Sequence, residues 1–175
     1  RLYGTLVMYG GRVEPDNGCE EMLDYFDGYA TDAPDATLVI MGLKLFQIPT
    51  ADGRIRLAGV LPDRERMTAF ESADLTLAPS ADDLLSQPLL ESLAVGTPVL
   101  ANARNGAAVE HCVRSGAGLY YANRDEFIAS MQLLVRDARL RERLGENGRA
   151  YVRSGFRWDA VLGRFDRLIT RVRPR

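Results

Sequence analysis

The sequence predicts an α/β fold: a doubly wound, six-stranded parallel Rossmann-like sheet with a helical C-terminus. Three observations predict it. Short apolar runs are bounded by turn residues, helical patterns lie between them, and the pattern becomes purely helical after the last run. Strands separated by helices pair in parallel through right-handed crossovers, and helices then cover both faces of the sheet.

The first run is TLVMY at residues 5 to 9, followed by the helical segment CEEMLDYFDGYA. TLVIM (37 to 41) is followed by GLKLFQIPTADG, which Pro49 and Gly53 mark as a loop with at most one helical turn. IRLAGV (55 to 60) leads into PDRERMTAFESAD, LTLAP (75 to 79) into QPLLESLAV, and PVLAN (98 to 102) into GAAVEHCVRSG. GLYY (118 to 121) is the sixth run. These runs are β-branched or aromatic and read as six buried strands. Three helices follow: RDEFIASMQLLVRD, ARLRERLGENGRAYVRSG and RWDAVLGRFDRLITRV. In the last, Trp158, Val161, Leu162, Phe165, Leu168 and Ile169 recur at helical spacing and are expected to face the core.

Composition limits the function classes. A chain of 175 residues with 46% hydrophobic and 26% charged residues is large enough for one domain with a full core. A net charge of -2 gives no electrostatic footprint for nucleic acid. No apolar run approaches the roughly 18 residues that span a bilayer. Cys19 and Cys112 lack metal-ligand spacing and are expected to be buried fillers in a reduced, cytoplasmic setting. The chain begins RLYGTLVMYGG without a start Met, so a fragment of a longer protein is expected. His111, the only histidine, has no evident Ser or Cys partner and reads as a packing residue.

In an open α/β sheet, ligands bind beyond the carboxyl ends of the strands. The loop GGRVEPDNG after the first strand offers close backbone approach at Gly11 and a planar guanidinium at Arg12. It is neither the G-x-G-x-x-G fingerprint nor a Walker loop, which disfavours a dinucleotide or flavodoxin-like reading and an ATP-hydrolysing one. The stretch PSADDLLSQPLLESLAVGTP places Asp83 in a loop and Glu91 inside the helix that follows. Ser86 is expected to cap this helix and Pro88 suits its first turn. The amides around Gln87, Leu89 and Leu90 then form an anion site. Glu91, one turn inside, suits neutral hydroxyls better than phosphate. NARNGAAVE, after the fifth strand, reads as turn chemistry rather than a ligand loop.

The residues G-R (11 and 12), E-P-D-N-G, L-V-I-M-G, I-R-L-A-G-V, A-D-L-T-L-A-P-S and L-L-E-S-L-A-V-G-T-P-V, with the closing F-R-W-D, resemble the C-terminal donor-binding domain of group 1 retaining glycosyltransferases of the GT-B architecture. The likeness runs from about Thr5 to Ile169. It implies that residues 1–175 form a nucleotide-sugar binding domain, with an N-terminal acceptor domain absent from this chain. Asp83 and Glu91 match the family's E-x7-E pair. By resemblance, Glu91 holds the ribose of a UDP-, GDP- or ADP-sugar, Asp83 reaches hydroxyls of the transferred sugar, and Arg12 neutralises the diphosphate. The base lies against the Gly59-Val60-Leu61 backbone, and neither metal nor cofactor is needed. The acceptor is a sugar, lipid-linked glycan or polysaccharide. Asn17-Gly18 stands where the family has Lys-Gly, and Asp83 is one methylene shorter than Glu. Asn17 therefore raises an alternative: a non-catalytic nucleotide-sugar or partner-binding module with a degenerate donor site. Lys44 reads as a surface residue. The arginines at 164, 167, 171, 173 and 175 read as a solvated helix end, with peripheral contact to acidic lipid as the other reading.

Overall fold

A computed structural model describes residues 4–14, 17–45, 47–48, 53–83 and 86–172. Six strands, β1 (Leu6–Gly10), β2 (Thr37–Met41), β3 (Ile55–Gly59), β4 (Leu75–Ala78), β5 (Val99–Asn102) and β6 (Gly118–Tyr121), form one parallel sheet in the order β3-β2-β1-β4-β5-β6. The chain first winds outward from β1 to β3, then returns to the other side of β1 and winds outward again. The reversal lies between β1 and β4, where Tyr9 is opposite Leu77.

The helices are α1 (Cys19–Asp32), α2 (Asp63–Glu71), α3 (Gln87–Val95), α4 (Gly106–Ser115), α5 (Arg124–Arg136), α6 (Ala138–Gly155) and α7 (Trp158–Val172). Strand alternation sends Val7 and Tyr9 to the face covered by α1 and α5, where they meet Phe26, Phe127 and Met131. Met8 points the other way, to Phe70 of α2 and Met41. Leu89 and Leu93 of α3 join Val99, Ala101 and Ala108 in a further cluster on that side. Both faces are thus covered, as parallel sheets require.

Two expectations are corrected. The strands are not all buried: β3 lies at the edge of the sheet, and its residues after Ile55 are exposed. The apolar stripe of α7 does not face the core. Trp158, Leu162, Phe165, Leu168 and Ile169 are all more than half exposed, because α7 packs on the domain chiefly through α6. Periodicity identified the helix and its apolar face; it carried no information on what that face meets. The loop expected between β2 and β3 carries no helical turn at its described residues, 42–45, 47–48 and 53, whereas residues 46 and 49–52 lie outside them, as do Arg173 and Arg175.

A buried polar chain seats α3 on the sheet. Ser92, fully buried, donates to the Thr97 carbonyl at 2.9 Å and lies 2.8 Å from the Thr76 hydroxyl, while Thr97 donates to the Phe70 carbonyl at 2.7 Å. These bonds tie α3 to β4, to the start of β5 and to the end of α2. They fix the helix rotation that carries Glu91, since a slip would strand buried hydroxyls.

Candidate functional site

A cleft of about 510 Å³ opens beyond the carboxyl ends of β1 and β4, at the reversal of strand order. Of the residues singled out from sequence, Gly11, Arg12, Asn17, Asp83 and Leu89 line it. Val60, Gln87, Leu90 and Glu91 lie outside its lining. Glu91 is one turn along α3, on the side that meets α2, and Val60 is 69% exposed just past the end of β3. The predicted residues therefore divide into a cleft group and a group further out, along α3 and toward β3.

The loop after β1 is held from below. Tyr9 is buried and donates to the Arg12 carbonyl at 2.8 Å, and Asn17 Nδ2 donates to the same oxygen at 3.2 Å. Burial pushes the Tyr9 phenol far above its ordinary value, so it stays a neutral donor. Cys19, also fully buried, lies 3.5 Å from the Tyr9 oxygen, and burial raises its thiol above its ordinary value. Gly18 has φ +70°, and a Cβ there would meet the Pro79 carbonyl oxygen at 2.5 Å. Only glycine lets the start of α1 approach the loop after β4 this closely. The Arg12 side chain remains largely exposed and meets Glu14 at 3.2 Å.

The acidic loop is held from the far side. Asn105 donates to the Ser80 and Asp83 carbonyls, each at 3.0 Å, and its oxygen accepts the Ala108 amide of α4 at 2.9 Å. Asn102, buried, donates to the Pro79 carbonyl at 3.1 Å and to Glu21 at 3.2 Å. Arg104 pairs with Glu21, and that hydrogen-bonded carboxylate raises the guanidinium pKa. Sequence reading gave this loop only turn chemistry. Asn105 is more than that: it caps α4, lines the cleft and clamps the Asp83 loop. The signal was an Asn at a helix start, which announces a cap but not the two carbonyls it also reaches.

The start of α3 differs from expectation. Ser86 occupies the cap position but its side chain makes no capping bond; instead its amide donates to Asp83 Oδ1 at 3.0 Å. The Leu90 amide bonds the Ser86 carbonyl at 3.1 Å, closing the first helical turn rather than facing an anion. Pro88 sits in that turn and Gly96 ends the helix in the left-handed conformation, both as read from sequence.

Glu91 has a partner that sequence reading missed. Arg66 of α2 grips it with a fork, Nε to Oε2 and Nη2 to Oε1, both at 2.8 Å. Gln87 Nε2 adds a bond to Oε1 at 2.9 Å. The carboxylate raises the Arg66 pKa further, so the guanidinium is permanently charged. His111 packs against Tyr151 and Phe156, with Nδ1 2.9 Å from the Tyr151 hydroxyl, as expected of a structural histidine. Cys112 is buried, its thiol pushed up to about 12 by burial. Both cysteines are free. Among the described residues no helix is long and apolar enough to cross a membrane.

The strand order and the cleft at its reversal define a Rossmann-like half of a GT-B fold. The model of the family described as glycosyl transferases group 1 matches residues 4–151, and the chain belongs to that family. A GDP-mannose-dependent alpha-(1-6)-phosphatidylinositol dimannoside mannosyltransferase of Mycobacterium tuberculosis is 30% identical over 129 residues, covering 71% of this chain and 33% of the relative. A lipopolysaccharide 1,2-N-acetylglucosaminetransferase of Salmonella typhimurium is 25% identical over 182 residues, covering 93% and 47%. The chain thus spans less than half the length of these curated relatives. Among solved structures, Anabaena HepE in complex with UDP superposes with a TM-score of 0.79 at 19% identity, covering 97% of this chain and 49% of that one. The C-terminal domain of a group 1 glycosyl transferase from Francisella tularensis superposes with a TM-score of 0.71 at 18% identity, covering 88% and 87%. At these identities the likeness shows the fold, that of a GT-B C-terminal domain.

Proposed function

We propose that this chain is the donor-binding domain of a retaining glycosyltransferase that transfers a sugar from a nucleoside diphosphate sugar to an acceptor in glycan or polysaccharide biosynthesis. The observation that carries the reading is the gathering of Arg12, Asn17 and Asp83 around one cleft at the strand-order reversal, in a chain of this family. A UDP complex of a protein with the same fold and a GDP-mannose-dependent relative support a nucleotide sugar as the ligand class.

In this reading the diphosphate lies in the cleft beside Arg12, and Asp83 meets hydroxyls of the transferred sugar. The nucleoside extends along α3 to Glu91 and on toward the backbone at Val60. Arg12 stabilises the negative charge that develops on the departing phosphate once closure of the cleft by a further, N-terminal domain excludes water from it. The acceptor binds through that domain, and neither metal nor cofactor takes part. The enzyme works in the cytoplasm, with any membrane contact peripheral.

The test is a titration of UDP, GDP and ADP into wild type and Glu91→Ala, followed by NMR or thermal shift. At least one nucleotide is expected to bind wild type and to bind the variant at least tenfold more weakly, the loss expected when a charged hydrogen-bond acceptor is removed. Absence of any shift at millimolar nucleotide overturns the assignment.

A second reading, a non-catalytic module, is favoured by one observation: Asn17 supplies no charge, and its side-chain amide donates to the Arg12 carbonyl. Asn17→Lys in the full-length protein separates the two. A wild type already active, and unimproved by the lysine, excludes the inactive module.

A further inference from the structure

Resting on the donor-site reading of Glu91, we propose that Arg66 is a positioning residue for ribose recognition, and that Gln87 is the group which yields when the ribose binds. The argument is one of acceptor sites. An ionised carboxylate offers about four lone-pair positions, two on each oxygen. The Arg66 fork takes one on each oxygen of Glu91, and Gln87 takes the second on Oε1. One position remains, on Oε2. A vicinal ribose diol brings two donors, so one bond already in place must be released.

The two donors differ in what their release leaves behind. Gln87 is neutral and exposed, and swinging it into water strands nothing. Arg66 cannot leave as easily. Its side chain and that of Glu91 are only 24% and 16% exposed, and withdrawing the guanidinium leaves a largely covered carboxylate without its counter-charge. The guanidinium is also anchored from behind, with Nη1 on Asp63 at 3.0 Å. A two-bond fork fixes the plane of the carboxylate as well as its position, which a single contact does not. Arg66 stands on α2, four residues after Pro62, so it couples Glu91 to the helix that follows the proposed base-binding segment. Glu91 is therefore held at a set angle between two helices, with its free lone pair on Oε2.

The test measures, in the full-length protein, the affinity of UDP and GDP against their 2′-deoxy and 3′-deoxy counterparts by calorimetry. Wild type is expected to prefer the ribonucleotide by about tenfold or more. Arg66→Met is expected to weaken ribonucleotide binding and to abolish most of that preference, leaving the affinity for deoxynucleotide nearly unchanged. Gln87→Ala is expected to keep the preference with equal or tighter binding. Arg66→Lys keeps the ion pair between the helices but not the fork, and is expected to restore stability without restoring the preference; it decides the matter if the methionine variant does not fold. A preference that survives in both Arg66 variants makes the arginine a mere strut and overturns the proposal. A wild type with no preference at all instead refutes the ribose role of Glu91, and this inference falls with it.

Discussion

At residue scale, the side chains that shape the cleft act mostly by holding backbone. Asn105 is the clearest case, with one acceptor capping α4 and two donors on the acidic loop. Asn105→Ala is expected to cost about 2 kcal/mol, a cap plus the uncompensated carbonyls, and to lower Tm by about 4–8 °C. Asn105→Ser keeps an oxygen for the cap and loses the amide donors without adding charge, so about half that loss is expected in the same thermal scan. Equal losses in both variants would assign the whole effect to the loop. His111 yields a pH prediction. Burial lowers its pKa below the ordinary value, with Arg114 acting in the same direction and Glu110 against it. The unfolded chain therefore takes up the proton first as pH falls. The stability associated with neutral His111 is present above about pH 6.5 and is lost as pH drops through that value toward the folded one. Tm measured between about pH 7.5 and 5.5 is expected to fall more steeply for wild type than for His111→Gln. Parallel slopes would show that the imidazole does not contribute.

At the scale of elements, every strand and helix was visible in the sequence, because each has its own periodicity and its own punctuation. α3 is an example: Pro88 and Gly96 mark its ends, and its bounds, Gln87–Val95, coincide with the apolar run. What the pattern did not carry was the partner of each face. The stripe of α7 has the spacing of a core helix and lies open, because an amphipathic pattern records that a face is apolar and not where its cover lies. The exposure of β3 was hidden for a related reason, since edge position follows from strand order and not from composition. The open stripe gives a prediction for this chain. Replacing Trp158, Leu162 and Phe165 together by Ser is expected to change stability by less than about 1 kcal/mol, as for other exposed sites. Urea unfolding checks this, and a loss of several kcal/mol would mean that the stripe packs against the domain after all.

At the scale of the whole molecule, the site was legible where one residue type in one loop suffices and illegible where two distant elements meet. Arg12 could be singled out because the loops after strands are where an α/β sheet binds ligands, and Asn17 and Asp83 because they stand at motif positions of the family the sequence resembles; all three line the cleft. Arg66 could not, because nothing in PDRERMTAFES distinguishes it from Arg64 until α2 and α3 are laid side by side. The same geometry bears on what the chain does unaided. A nucleoside diphosphate leaves with at least two negative charges, whereas Arg12 is the only cationic side chain among the described residues lining the cleft. It is also largely exposed, so solvent screens it. A half-open cleft with one screened cation holds a nucleotide weakly and does little for the departing phosphate, since electrostatic stabilisation is strong only where water is excluded. The 175-residue chain by itself is therefore expected to bind UDP or GDP with a Kd no tighter than about 0.1 mM, under 6 kcal/mol of binding, and to transfer no sugar to an added acceptor. Raising the salt from about 0.05 to 0.5 M is expected to weaken nucleotide binding further, because the diphosphate contact is exposed. Calorimetry and a radiolabelled-sugar transfer assay check both statements; robust turnover by this chain would show that its own residues complete the site.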